Sequence, residues 1–168
     1  MAAFLERRRT FGTRFGETEN KMKKNLIVWM AALALVIVTS IPAAFAESGA
    51  MTVYKSPLCG CCGGWVDHMR ENGFSVRVKE MEDVSTIKEF MKIDDDLWSC
   101  HTATIDNYVI EGHVTVKALN KLLSEKPKIR GIALPGMPQG SPGMSGTKDE
   151  EWITYTITDK EPKPFMVE

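Results

Sequence analysis

Three of the four cysteines in this 168-residue chain fall within four positions: Cys59, Cys61 and Cys62, in the stretch SPLCGCCGGW from Ser56 to Trp65. Cys59 and Cys62 have C-x-x-C spacing, which lets one turn bring two sulfurs together, as a disulfide or on one metal ion. Adjacent Cys61 adds a third sulfur. Two thiols suffice for dithiol redox chemistry, whereas three or more thiolates suit a soft, thiophilic ion. Cu(I) fits that set best, with Zn(II) the commoner competitor. Zinc ribbons want two C-x-x-C knuckles, and only one is present. The fourth cysteine, Cys100, stands far downstream beside His101 in Ser99-Cys100-His101-Thr102. It joins the set only if the fold returns it to the trio.

Such thiols need elements to position them. Met51 to Tyr54 is short and apolar, a buried strand. Pro57 and Gly60 mark a turn. Trp65, Val66 and Met69 then recur at helical spacing, and Gly73 is a stop, which predicts a helix over Trp65 to Asn72. The cysteines therefore stand at a helix N-terminus. Unpaired N–H groups and the positive end of the helix dipole favour an anion there, so a thiol loses its proton below its usual pKa of about 8.5.

Phe74 to Val78 alternates as a strand does. Asp83 to Ser85 opens a second helix carrying Ile87, Phe90 and Met91, and Asp94 to His101 reads as a loop. Thr102 to Ile105 and Tyr108 to Glu111 flank Asp106-Asn107, a hairpin signal. Val114-Thr115 opens a helix through Leu119, Leu122 and Leu123, which Pro127 ends. Gly131 to Gly146 is a Pro/Gly-rich loop long enough for a binding role. Trp152 to Ile157 alternates again. With the cysteines between the first strand and first helix, this order predicts an α/β, thioredoxin-like fold. In such folds the turn entering the hairpin strand lies beside the helix start and usually carries a cis-proline. Here that place holds Cys100 and no proline, so its sulfur is expected to face the cluster.

The beginning of the chain reads differently. Met22 to Asn25 is basic, Leu26 to Ile41 carries no charge, and Ala44-Phe45-Ala46 is a small-x-small cleavage site. Together they form a secretory signal peptide over residues 22–46. The apolar run falls short of the roughly 20 residues of a membrane span. Residues 1–21, with Arg7-Arg8-Arg9, read as a spurious or extra N-terminal extension, translation starting at Met22. Residues 47–168 read as one metal-binding domain, periplasmic and free of the membrane after cleavage. They hold 14 Lys and Arg against 19 Asp and Glu, a formal charge of −5. An acidic domain of that kind lacks the basic face of a nucleic-acid binder. It is also long enough to bury a core without disulfide staples. The clustered cysteines are thus chemical rather than a framework, in a compartment that oxidises thiols unless a metal or reductant holds them.

SPLCGCCGGW, then SCHTATIDNYVIEGHV, then GIALPGMPQGSPGM resemble, in order, the CopG-type family of small periplasmic copper-resistance proteins. The resemblance spans Met51 to Ile157. It implies a thioredoxin-like fold with an added β-hairpin or strand extension, and copper binding through Cys59, Cys61 and Cys62. The matched positions continue with Cys100 and His101, then Glu111, Gly112 and His113, then Met137 and Met144. It also implies interconversion of Cu(I) and Cu(II). Two of the cysteines are expected to form a disulfide when metal is absent; Cys59 and Cys62 are the candidate redox pair from their spacing, and the sequence leaves the pairing open. A copper efflux system or periplasmic copper carrier is the implied partner.

The secondary candidates have bland readings too. Met137 and Met144 are neutral, soft donors set among Pro and Gly, and are either Cu(I) ligands or gap-fillers over the core. His113 is a ligand or a side chain that hydrogen-bonds near the following helix. Asp94-Asp95-Asp96 lacks the oxygen spacing of a calcium loop. A rival for the whole chain is a thiol–disulfide oxidoreductase that uses Cys59 and Cys62 without metal. Zinc or general soft-metal storage is a third reading.

Overall fold

The computed structural model describes residues 50–168; the signal peptide and the 1–21 extension expected from the sequence lie outside the described residues. Seven strands form a single mixed sheet: β1 (Met51–Lys55), β2 (Val76–Glu80), β3 (Thr102–Ile105), β4 (Tyr108–Gly112), β5 (Gly131–Leu134), β6 (Ile153–Ile157) and β7 (Pro164–Val167). Their order across the sheet is β2-β1-β3-β4-β5-β6-β7. The β1/β2 and β4/β5 pairs are parallel and the others antiparallel. Among the described residues three α-helices accompany them, α1 (Gly60–Glu71), α2 (Ser85–Phe90) and α3 (Val116–Glu125), with a 3₁₀ turn at Asp95–Leu97. None of the described helices is long and apolar enough to cross a membrane.

Strand alternation sorts the interior onto two faces of the sheet. Ile110, Ile132 and Leu134 point to one face and join Trp65, Val66 and Met69 of α1 and Ala118, Leu119 and Leu122 of α3. Val109 and Ala133, one residue out of step, join Ile93, Leu97 and Ile157 on the other. Each fully buried Leu or Ile contributes about 1.5–3 kcal/mol, so the larger cluster clamps α1 firmly onto the strands that flank it.

The sheet exceeds the sequence expectation by two strands. β5 lies in what reads as the start of a Pro/Gly loop. Its four residues, GIAL, are all buried and show no alternation because both faces of the sheet are covered there. β7 begins at Pro164 and pairs only with β6 at the sheet edge, where a proline costs no ladder bond. Helix α1 starts five residues earlier than predicted, at Gly60, so Cys61 and Cys62 lie in its first turn. Glycines at 60, 63 and 64 hid that turn from a reading based on apolar spacing. In α2 the expected stripe fails: Phe90 is 76% exposed, and Lys88 is the buried residue.

Candidate metal centre

Helix α1 sets out the sulfurs. Cys59 is its N-cap, with extended backbone and no side-chain cap bond. The Gly63 amide donates to the Cys59 carbonyl at 3.3 Å, closing the first turn. One turn of helix places Cys59 and Cys62 with Cα atoms 5.3 Å apart, and they form a disulfide. Cys61 is a free thiol whose Sγ lies 3.5 Å from Cys59 Sγ and 4.0 Å from Cys100 Sγ. Cys62 Sγ sits 3.8 Å from the Cys100 carbonyl oxygen, a contact only, since a disulfide sulfur has no proton to donate. The ligand atoms of Cys59, Cys61, Cys62 and Cys100 all lie within 4.8 Å of one another. The fold thus brings together all four sulfurs named from the sequence.

Cys100 reaches the cluster because its loop is nailed down from behind. Glu111, on β4, is fully buried. Its carboxylate accepts the Ser99 amide at 2.7 Å, the Thr102 hydroxyl at 2.6 Å and the Lys88 ammonium in a short ion pair. Lys88 also donates to Thr102 Oγ1 at 3.2 Å. Burial pushes the Glu111 carboxyl above its usual range, against the pull of the Lys88 ammonium and the hydrogen bonds of Lys88, Thr102 and Ser99. Gly112 then turns the chain with φ +77°. A Cβ there would lie 2.5 Å from the Leu134 carbonyl oxygen and 2.5 Å from Ser99 Cβ. Only glycine lets β4 end beneath Ser99 and swing His113 round to Cys100.

His113 is fully buried, with Nδ1 2.7 Å from the Pro142 carbonyl and Nε2 2.8 Å from Cys100 Sγ. Nδ1–H donates to the carbonyl, so the Nε2 lone pair faces the thiol. That is the orienting partner a metal-binding imidazole requires. Burial pushes the His113 pKa down, partly offset by the Pro142 carbonyl. Burial also pushes the Cys100 thiol up to about 11, and nearby Cys61 adds to the rise. Cys100 is therefore a protonated thiol at neutral pH, hydrogen-bonded to His113, and a metal must displace that proton to bind it. His101 lies deeper. Its ring stacks obliquely on Trp65 at 4.6 Å and meets the edge of His113 at 4.9 Å. Cys100, His101 and His113 form a second group whose ligand atoms lie within 4.8 Å of one another.

The Pro/Gly loop closes one side. Gly136 bridges to Ser99, and its amide donates to the Trp98 carbonyl at 3.1 Å. Gly143, at φ +81°, lies so near Trp65 N and the Cys61 carbonyl that a Cβ would strike both. Met137 and Met144 each follow one of these two clamps directly. Met137 is 57% exposed and Met144 half-buried. Neither belongs to the apolar core clusters.

Three participants are absent from the sequence reading: Lys88, the Pro142 carbonyl and Trp65 as the wall behind His101. A glutamate at an inward position of the hairpin strand YVIEG demands a cation, which is the available signal for Lys88. The Pro142 carbonyl and the Trp65 stacking arise only from tertiary packing and leave no local trace.

A protein-family model described as "Protein of unknown function, DUF411" matches residues 97–144, from the end of the 3₁₀ turn to Met144. No curated protein matches. Two solved structures are similar, "Copper resistance protein copG- Form 2" and "Copper resistance protein copG- Form 1". The first is 34% identical, with a TM-score of 0.68, and the match covers 73% of this chain and 99% of that one. The second is 34% identical, with a TM-score of 0.67, covering 73% and 98%. Identity at that level over virtually the full length of both, with a four-cysteine cluster in place, shows that the chain belongs to the CopG family of copper resistance proteins.

Proposed function

We propose that this protein is a periplasmic copper-binding protein of copper resistance. It holds Cu(I) on the thiolates of Cys59, Cys61, Cys62 and Cys100 once the disulfide is reduced. The observation that carries this reading is the meeting of four sulfurs from two segments some forty residues apart within 4.8 Å. A disulfide needs two sulfurs and a buried framework needs none exposed, whereas a soft monovalent ion uses three or four. Thiolate sulfur has lone pairs to spare, so neighbouring sulfurs can bridge more than one ion. Met137 and Met144, each one residue past a loop clamp, are suited to extend the donor set at the rim. Zn(II) is the weaker candidate.

The Cys59–Cys62 pair supports a coupled redox role. Two Cu(II) ions take one electron each from the two thiols, giving two Cu(I), one disulfide and two released protons. The disulfide form described above is the product of that step, and an external reductant restores the dithiol. The order β2-β1-β3-β4, with a helix after β1, β2 and β4, supports a thioredoxin-like core on which β5 to β7 are the extension. Export through residues 22–46, with 1–21 outside the functional product, delivers the domain at 47–168 to the periplasm. A copper efflux or carrier protein is the fitting recipient.

Anaerobic titration of the reduced protein with Cu(I) against a chromogenic chelator tests the proposal. Tight binding is expected, weakened in Cys61→Ser by more than about 100-fold, beyond what loss of a mere supporting contact costs. Equal affinity in wild type and Cys61→Ser overturns the multi-thiolate site. The Cys59–Cys62 disulfide also favours a second reading, a metal-free thiol–disulfide oxidoreductase. That reading predicts that Cys61→Ser retains full turnover of protein disulfides.

A further inference from the structure

The surface around the sulfurs carries no charge. Residues 56–66, 97–105 and 131–147 contain no Asp, Glu, Lys or Arg, in a chain of which 26% is charged. The fold draws these three stretches together. Gly136 bridges to Ser99, and Gly143 packs so closely on α1 that a Cβ on Gly64 would lie 3.1 Å from its Cα. Two apolar side chains stand out of this face. Among the described residues Leu58 is the most exposed large apolar side chain, at 92%, and Met137 is exposed as well. Leu58 is held in place. The Cys59 amide donates to the Ser56 carbonyl at 3.1 Å, closing a turn with Pro57 and Leu58 at its tip, and the Leu58 amide donates to the Ser56 hydroxyl at 3.2 Å. Proline at the second position presets the backbone of such a turn, so the leucine is displayed at little cost in chain entropy. A single exposed leucine needs no explanation. An apolar tip and a methionine on a face stripped of charge have the composition of an interface core.

The disulfide points to the occupant. Cys62 is fully buried, whereas Cys59, directly after Leu58, is partly exposed. An attacking thiolate from outside therefore reaches Cys59 and not Cys62. We propose that the Leu58 turn and the Met137 loop form the docking face for a protein dithiol that reduces the Cys59–Cys62 disulfide and carries its own thiols on an uncharged, apolar surface. The proposal rests on the copper reading above, whose redox step leaves a disulfide, and it names the chemistry of the reductant that step requires. Charge selects this partner. A lysine- or glutamate-rimmed surface would lose its hydration here and meet no opposite charge. In the first step a partner thiolate attacks Cys59 Sγ, the Cys59–Cys62 bond breaks, and Cys62 leaves as a thiolate in the first turn of α1. In the second, the partner's other thiolate attacks the partner sulfur of the mixed disulfide and frees Cys59. Two electrons pass from the partner dithiol, which becomes a disulfide, and its two protons go to Cys59 and Cys62.

The test compares two reductants on the metal-free disulfide form: reduced thioredoxin as the protein dithiol, and dithiothreitol, which needs no docking. Leu58→Glu should slow reduction by thioredoxin at least about 10-fold, because docking would bury an unpaired carboxylate. It should leave reduction by dithiothreitol unchanged, which also shows that the disulfide and its surroundings are intact. Val167→Glu, which replaces an exposed valine on the far edge strand β7, should alter neither rate. Equal thioredoxin rates in wild type and Leu58→Glu overturn the docking face. So does equal slowing with both reductants, which would make Leu58 a prop of the disulfide itself. A wild-type dimer that Leu58→Glu dissociates in sedimentation would assign the face to a second copy and overturn the proposal too. Both rates are read without metal, so this outcome is separable from that of the copper reading. A reduced protein that ignores Cu(I) sinks the copper site and leaves the rate difference standing, whereas tight Cu(I) binding beside rates indifferent to Leu58 sinks the docking face alone.

Discussion

The front and back of this centre are built by opposite means. At the front, Cys59, Cys61 and Cys62 come from one turn of α1 and are close in sequence; Cys59 and Cys61 are partly exposed, and Cys62 is buried directly beneath them. At the back, Lys88, Glu111, His101 and His113 come from α2, β4 and the segments entering β3 and leaving β4, and all four are buried. Soft chemistry that exchanges cargo needs access, and a local motif provides it. Polar groups that hold position need exclusion of water, and only the folded sheet provides that. Cys100 is the one residue on the boundary, with its sulfur at the front and its backbone tethered through Ser99 to Glu111 at the back.

The sharpest way to break this comparison is to cut the tether. Glu111→Ala leaves the Lys88 ammonium buried with Thr102 as its remaining partner, and strips the Ser99 amide of its acceptor. Removing one member of a buried ion pair costs about 3–5 kcal/mol, to be read from chemical denaturation. The double variant Lys88→Met/Glu111→Leu removes both charges and should recover much of the stability. Cu(I) affinity should not recover with it, because Ser99 and Cys100 remain untethered. A double variant with both properties restored would show that Glu111 does no positioning.

That asymmetry also explains what could be seen in the sequence. The front was legible because C-x-C-C spacing is itself the geometry, and Cys100-His101 sits where a hairpin strand begins. The hairpin around Asp106-Asn107 was equally plain, and Asp106 does adopt φ +51°. The back was not legible, because Lys88 stands in its short helix between the apolar Ile87 and Phe90, which with Met91 just beyond outvote it in any periodicity argument. Phe90 misled for the same reason: six residues of helix do not fix which face is inward. β5 was hidden by burial on both faces, which erases alternation. The cysteine pairing was open until α1 was seen to begin at Gly60, which places Cys59 and Cys62 one turn apart.

Acid should find the back before the front. Burial, with the charges of Lys88 and Lys55 and the proximity of His113, holds the His101 pKa well below its ordinary value, and burial lowers His113 as well. Unfolded, both titrate near 6.5. Below that pH the unfolded chain binds protons that the folded chain refuses, so stability is full above about pH 7 and falls as the pH drops. Each histidine contributes up to about 1.4 kcal/mol per pH unit until its folded pKa is reached. Denaturant unfolding of the metal-free disulfide form between pH 7.5 and 5.5, above the carboxylate range, should show this slope. His101→Phe should flatten it by about half. An unchanged slope in that variant would place the proton uptake elsewhere.

The smallest effect tests whether His113 owes its place to the helix that follows it or to the loop that faces it. Thr115 caps α3, accepting the Ala118 amide at 3.1 Å and donating to Glu168 Oε2 at 2.6 Å. Thr115→Ala should cost about 1 kcal/mol by thermal or chemical unfolding, as lost N-caps do. The Pro142 carbonyl, the edge of His101 and the turn at Gly112 all fix His113 from the other side. Trp65 Nε1, bonded to the Val114 carbonyl at 2.9 Å, secures the chain between the two. Fraying one turn of α3 should therefore leave Cu(I) affinity unchanged. A drop in Cu(I) affinity with stability otherwise modestly altered would move the orienting influence on His113 from the loop to the helix, and would extend the back of the centre as far as the C-terminal Glu168.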